Sequence, residues 1–144
     1  MDLTKTYPRS PRAKLAGVVM LARTLDKARA SNAGTPGEYH FGCGMDKHVL
    51  AFLGSDPETF AKNVAEAPDD ATIELWARER LKGTTPDAVE SFNTEFAQDA
   101  PAAGSESEKF LISERTRLSR RDITTWFDLL DLDEGRPVPQ PSVA

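Results

Sequence analysis

The sequence contains one cysteine in 144 residues, so no disulfide bond can form within the chain. It also lacks an apolar run long enough to span a bilayer, and its start shows no signal-peptide pattern. The net charge of −5 argues against nucleic-acid binding, because proteins that bind nucleic acids usually carry a basic surface. We therefore expect a cytoplasmic protein that binds neither membranes nor nucleic acids.

Two motifs that carry known chemistry are also missing. The tripeptide at 42–44 lacks the third glycine of a dinucleotide-binding loop, and no Gly-Lys-Ser or Gly-Lys-Thr follows it. The spacing of His40, Cys43, Asp46 and His48 matches no standard zinc motif, although the residue types suit a metal. These absences argue against a nucleotide site and disfavour a metal site, and they leave the cofactor unknown. A simple anion at a helix N-terminus stays open.

The apolar residues recur at helical spacing, without strand-like alternation or a hairpin signal. The sequence therefore predicts an all-α fold, a compact array of about six or seven short helices with a glycine-rich loop after the first long helix. The chain length favours a single domain over residues 1–136. The three prolines after residue 136 predict an extended, disordered tail at 137–144.

The first predicted helix runs from Ser10, a good N-cap, to Gly34, which suits a left-handed helix end. The apolar residues on one face of this helix are Leu15, Val18, Val19, Ala22 and Leu25. Asp26 and Arg29 share that face and can pair at i,i+3 spacing. Two interpretations stay open. In the first, Arg29 reaches solvent at the helix end and Asp26 bonds a neighbouring loop. In the second, both residues form the polar wall of a pocket with Arg23.

The loop after this helix collects most of the reactive side-chain types. Tyr39 and His40 lie between its glycines, and Cys43 follows between Gly42 and Gly44. Asp46 is predicted to cap a short helix through residue 53, which would place the thiol beside a positive helix end.

Cap signals predict the later helices. They start at Ser55 to Glu58, at Asp69 or Asp70, at Thr85-Pro86 and at Ser105 or Ser107, and a last helix covers 123–131. Asn93 lies among the apolar residues of the helix that follows Pro86. A buried asparagine needs partners, so Asn93 is either a hydrogen-bonding core residue or part of the pocket.

Three phrases of the sequence resemble a bacterial family catalogued as domain of unknown function 5069. They are LTKTYPRSPRAKLAGVVMLARTLDKARA, AGTPGEYHF and TTWFDLLDLDEGR, and the resemblance extends from Leu3 to Arg136. It implies a bacterial, cytoplasmic, helical protein and brings no activity, cofactor or catalytic residue with it.

Our first functional hypothesis is a domain that binds a small polar or anionic molecule at the end of the first helix and the following loop. The residues assigned to ligand binding are Arg23, Arg29, Tyr39 and Asn93. The first alternative is an enzyme, with Cys43 as nucleophile or with His40 and Asp26 in acid–base chemistry beside Tyr39. A second alternative is a protein-interaction adaptor that uses the acidic surface and the proline-rich tail.

Overall fold

A computed structural model describes residues 1–139, and residues 140–144 of the predicted tail lie outside the described part. Within residues 1–139 there are seven helices and one two-stranded hairpin. The helices are α1 Leu21–Asn32, α2 Gly44–Phe52, α3 Pro57–Glu66, α4 Asp70–Arg80, α5 Pro86–Gln98, α6 Glu106–Leu118 and α7 Trp126–Asp133. The strands are β1 Lys14–Leu15 and β2 Val18–Val19. The predicted array of six or seven short helices is confirmed.

The chain divides into two compact units, residues 1–93 and a second unit that begins at residue 94. In the first unit α1 is central, because residues 21–28 are all buried and α1 packs against α2, α3 and β1. The largest completely buried side chains of this unit include Leu21, Leu25, Leu50 and Phe60.

The predicted long helix from Ser10 is wrong in its first half, because α1 begins only at Leu21. The preceding residues form an antiparallel hairpin in which Lys14 pairs with Val19 and Leu15 with Val18. Ala16 and Gly17 form its turn with φ values of 53° and 77°, the positive values that a tight two-residue hairpin requires.

The apolar spacing misled the prediction because a two-residue turn also brings Leu15 and Val18 together on one face, while Val19 is buried on the opposite face. Leu15, Val18 and Val19 are all buried, as predicted, but in strands.

The side chain of Asn93, on α5, bonds to the hairpin. Its Oδ1 accepts from Val19 N at 3.0 Å, and its Nδ2 donates to Gly17 O at 2.8 Å. Asn93 is thus the core hydrogen-bonding residue that the sequence left open.

The later helix starts follow their cap signals. Asp56, Asp69 and Ser105 each accept a backbone N–H of the helix that follows them. The last helix begins at Trp126 rather than Ile123, because Thr125 and Asp128 form a capping box.

The second unit has its own apolar cluster. Leu111, Ile123 and Val138 are its buried members, with Leu129 and Leu132 packed against them. Val138, in the predicted tail, is 7% exposed, and its carbonyl accepts from Arg120 Nη1 at 2.6 Å. The first residues of that tail therefore pack on the second unit.

No helix within residues 1–139 is both long enough and apolar enough to cross a lipid bilayer.

Candidate functional site

Four polar side chains of α1 lie in the interior of the first unit. Arg23, Thr24, Asp26 and Lys27 are exposed by 2%, 0%, 1% and 5%. Burial of polar and charged groups is costly unless they are paired, so their partners are part of the structure. Those partners form two separate clusters, one around Asp26 and one around Lys27.

The arginine–aspartate cluster consists of Arg9, Asp26, Arg29 and Asp70. Asp26 Oδ2 accepts from the backbone N of Arg9 at 2.9 Å and from its Nε at 3.1 Å. Arg29 Nη1 lies 3.5 Å from Asp26 Oδ1, which confirms the predicted i,i+3 pair. Asp70 bridges both arginines, at 2.8 Å from each.

Electrostatics couple the members of this cluster. Hydrogen bonding from Arg9, and then from Arg29, lowers the pKa of Asp70. Burial acts to lower the pKa of Arg9, but its hydrogen bonds to Asp70 and Asp26 outweigh burial and raise it. The cluster connects residue 9 to α1 and α4. Its two arginines and two aspartates form ion pairs with one another.

The lysine–aspartate–cysteine cluster consists of Lys27, Asp46, Cys43 and Thr24. Lys27 Nζ lies 2.8 Å from Asp46 Oδ2 and 3.4 Å from Cys43 Sγ. Asp46 is completely buried and also accepts from Thr24 Oγ1 at 2.9 Å and from the backbone N of Gly42 at 3.0 Å. The ammonium group is therefore held in a fixed place beside the sulfur.

The loop places Cys43 at the N-cap of α2, with extended φ and ψ values of −65° and 173°. The predicted cap, Asp46, is instead in the first turn of α2, where its side chain points inward to Lys27. Gly42 precedes the cap with φ of 94°, a value that favours glycine, and donates its N–H to Asp46. The half-buried Cys43 thiol thus lies at a helix N-terminus, where backbone dipoles favour negative charge.

The N-terminal segment anchors the other end of the loop. Leu3 is buried, and its N–H donates to Thr35 O at 2.9 Å. A Cβ atom at Gly37 would lie 2.5 Å from Leu3 O, and Gly37 has φ of 59°. This close backbone approach requires glycine at position 37.

The other predicted site residues are distributed around α1. The Arg23 guanidinium lies 5.5 Å from the centroid of the Tyr39 ring and donates to Arg9 O at 3.2 Å. His40 is exposed, whereas Asp26 is buried and accepts from the two arginines. The structure does not bring His40 and Asp26 into an acid–base pair.

Among residues 1–139, no three His, Cys, Asp or Glu side chains converge on a common metal position.

Sequence reasoning missed Arg9, Lys27 and Asp70 as members of these clusters. Lys27 lies off the apolar stripe of the predicted helix, and that stripe does not indicate that the opposite side of α1 is buried too. The sequence suggested its partner Asp46 as a helix cap or a metal ligand, and not as the partner of a buried lysine. Arg9 and Asp70 are 61 positions apart in the chain but in contact in the fold. A local sequence pattern cannot predict such a contact.

The fold and the site define a predominantly helical protein with a buried Lys–Asp pair beside a single half-buried cysteine. The model of the family described as Domain of unknown function (DUF5069) matches residues 5–136, and the chain belongs to that family. No curated protein matches the chain significantly.

Proposed function

We propose that the protein acts through the thiol of Cys43, which attacks a small peroxide and is oxidised to a sulfenic acid. The observation that carries this proposal is the 3.4 Å contact between Lys27 Nζ and Cys43 Sγ. An ammonium group at this distance stabilises a thiolate, and the thiolate is the nucleophilic form of cysteine. The N-cap position of Cys43 adds the dipole of α2 to the same effect.

Asp46 supports this role by keeping Lys27 in place. A lysine side chain normally samples many rotamers, but Lys27 is 5% exposed and its ammonium bonds to a buried carboxylate. The donor beside the sulfur is therefore preorganised before any substrate arrives.

In the proposed reaction the thiolate attacks one peroxide oxygen, so that an S–O bond forms while the O–O bond breaks. The sulfur loses two electrons, and the departing hydroxide or alkoxide takes a proton from Lys27 or from solvent. Because the chain has one cysteine, an external thiol must return the site to its starting state. That thiol displaces water from the sulfenic acid to give a mixed disulfide. A second thiol then releases the Cys43 thiolate and leaves as a small disulfide.

The other two functional hypotheses have less support. The guanidinium group of Arg29, which was expected to attract an anion, already faces Asp26 and Asp70. Most of the proline-rich tail proposed for an adaptor lies outside the described residues.

The test is the rate at which full-length protein reacts with hydrogen peroxide at pH 7, with dimedone trapping of the sulfenic acid and intact-mass detection. We expect Cys43 to react at least about tenfold faster than free cysteine, since a hydrogen bond to a charged group contributes roughly 1.5 kcal/mol. Lys27→Gln should lose most of this acceleration. Lys47→Gln changes an exposed lysine on the next helix and should not.

A wild-type rate equal to that of free cysteine would refute the proposal, whatever happens to the fold of Lys27→Gln. An unchanged rate in a folded Lys27→Gln variant would refute the role of the ammonium. Iodoacetamide serves as a second electrophile. Fast alkylation without a fast peroxide reaction would show that Cys43 is a nucleophilic thiol whose substrate is not a peroxide.

A further inference from the structure

A groove lies at the C-terminal end of α6 in the second unit. It has a volume of about 520 Å³ and is lined by Ile112, Arg115, Thr116, Ser119 and Arg121. Pockets for small ligands usually measure roughly 300–1,000 Å³, so this groove is large enough for a small organic molecule.

The two arginines of the groove differ from their neighbours in how they are paired. Arg117 pairs with Glu114, and Arg120 pairs with Asp122. In the part of the chain that the structure describes, Arg115 and Arg121 have no carboxylate partner. Arg115 donates one long hydrogen bond, at 3.4 Å, to the carbonyl of Ile123. Two positive charges therefore border the groove without a counter-charge.

The remaining lining residues add hydroxyl and apolar groups. Ser119 is exposed at the C-cap of α6. The Thr116 hydroxyl donates to Ile112 O at 3.1 Å, and its Oγ1 can still accept a hydrogen bond from a ligand. Ile112 is 43% exposed and gives the groove an apolar wall. The helix C-terminus carries only about half a negative charge, so the two guanidinium groups dominate the local potential.

We infer that this groove binds a small phosphorylated molecule, with its phosphate between Arg115 and Arg121 and its apolar part against Ile112. The guanidinium fork matches phosphate oxygens in a bidentate geometry. A phosphate monoester carries roughly −1.5 to −2 charge near pH 7, which matches two arginines better than the single charge of a carboxylate does.

The inference can be tested by NMR titration of the full chain with phenyl phosphate, benzoate, inorganic phosphate and benzyl alcohol. We expect phenyl phosphate to bind most tightly, with shifts at residues 112–121, and benzyl alcohol to cause none at the same concentration. Arg121→Gln changes an exposed side chain and should weaken phenyl phosphate binding about tenfold. Arg117→Gln, outside the lining, is the matched control and should bind as the wild type does.

Absence of phenyl phosphate binding, or equal binding by Arg121→Gln, would overturn the inference. Tighter binding of benzoate would reject phosphate as the recognised group. Equal binding of inorganic phosphate would reject the contact with Ile112.

Discussion

Lys27 Nζ and Asp46 Oδ2 lie 2.8 Å apart, and their side chains are only 6% and 0% exposed. A buried pair of this kind is costly to break from one side, because the remaining charge stays desolvated. The same ion pair also positions the ammonium group beside Cys43. The contribution of the pair to stability is measured by unfolding, and its contribution to thiol reactivity is measured by the peroxide reaction rate.

Removal of the Lys27 charge alone should destabilise the fold. We expect Lys27→Met to lower the free energy of unfolding by about 3 kcal/mol, since Asp46 would remain buried without a cation. The double variant Lys27→Met/Asp46→Asn should recover part of this loss, because the amide oxygen can accept from Gly42 N while the amide nitrogen donates to Thr24 Oγ1. Urea unfolding measures all three, and Lys47→Met is the control. A loss below about 1 kcal/mol in Lys27→Met would show that water reaches the pair.

Replacement of Gly37 should be far more damaging than replacement of Gly34. Both have positive φ, 59° and 72°, so alanine at either position costs about 1–2 kcal/mol of backbone strain. Only at Gly37 would the new Cβ also meet a backbone oxygen, that of Leu3 at 2.5 Å, whereas nothing lies within 4 Å at Gly34. Thermal unfolding of Gly37→Ala and Gly34→Ala should therefore give different midpoints. Equal midpoints would mean that the N-terminal segment moves away without cost.

Asn93→Ala should loosen the hairpin. The variant leaves the N–H of Val19 and the carbonyl of Gly17 without their side-chain partner, and an unsatisfied buried group costs about 1–3 kcal/mol. Urea unfolding should show a loss of about 2 kcal/mol. Hydrogen exchange should be faster at Val19. Thr94→Ala, the exposed neighbour on α5, should leave the Val19 amide protected.

The contribution of Asp70 should depend on pH. Its pKa is lowered in the folded protein by Arg9 and Arg29, relative to an ordinary value of about 3.9 in the unfolded chain. Such a group stabilises the fold above the unfolded pKa, and this stability is lost as pH falls through the folded pKa. Asp70→Asn should thus be less stable than wild type at pH 7, and the difference should shrink towards pH 2. Glu90→Gln, an exposed carboxylate on α5, should show no such convergence in urea unfolding.

Ser119 offers a stabilising substitution. It ends α6 in the left-handed region, with φ of 52°, where glycine is preferred. Ser119→Gly should raise the free energy of unfolding by about 0.5–1 kcal/mol. Ser113→Gly, an exposed position within the same helix, should lower it by a similar amount. Thermal unfolding that moves both variants in one direction would contradict the assigned conformation.

Local signals explain which parts of the fold could be predicted. Caps act within four residues, so the sequence located these helix starts to within one or two positions. The observed caps Asp56, Asp69 and Ser105 lie within the predicted alternatives. Gly34 follows the end of α1 with φ of 72°, as expected of a glycine there. The hairpin was missed because Ala16, rather than asparagine or aspartate, occupies the first turn position, and Asn93 supports it from 74 positions away.

The candidate site could be predicted only in part, for a physical reason. Cys43 was identified from its glycine-rich surroundings and the predicted helix after it, both of which are local. Its donor Lys27 lies on a helix that is buried on nearly all sides, so hydrophobic periodicity carries no information about it. The pair is specified by tertiary packing, which one sequence does not display.

The packing of Leu3 and Val138 sets limits on how the protein can be shortened. The family match covers residues 5–136, but Leu3 and Val138 lie beyond those limits and are only 5% and 7% exposed. A fragment trimmed to the family boundaries would uncover Leu111 and Ile123 at one end and remove the contact of Leu3 with Gly37 at the other. Such a fragment should aggregate more readily than the full chain, although it retains every residue that the family model recognises.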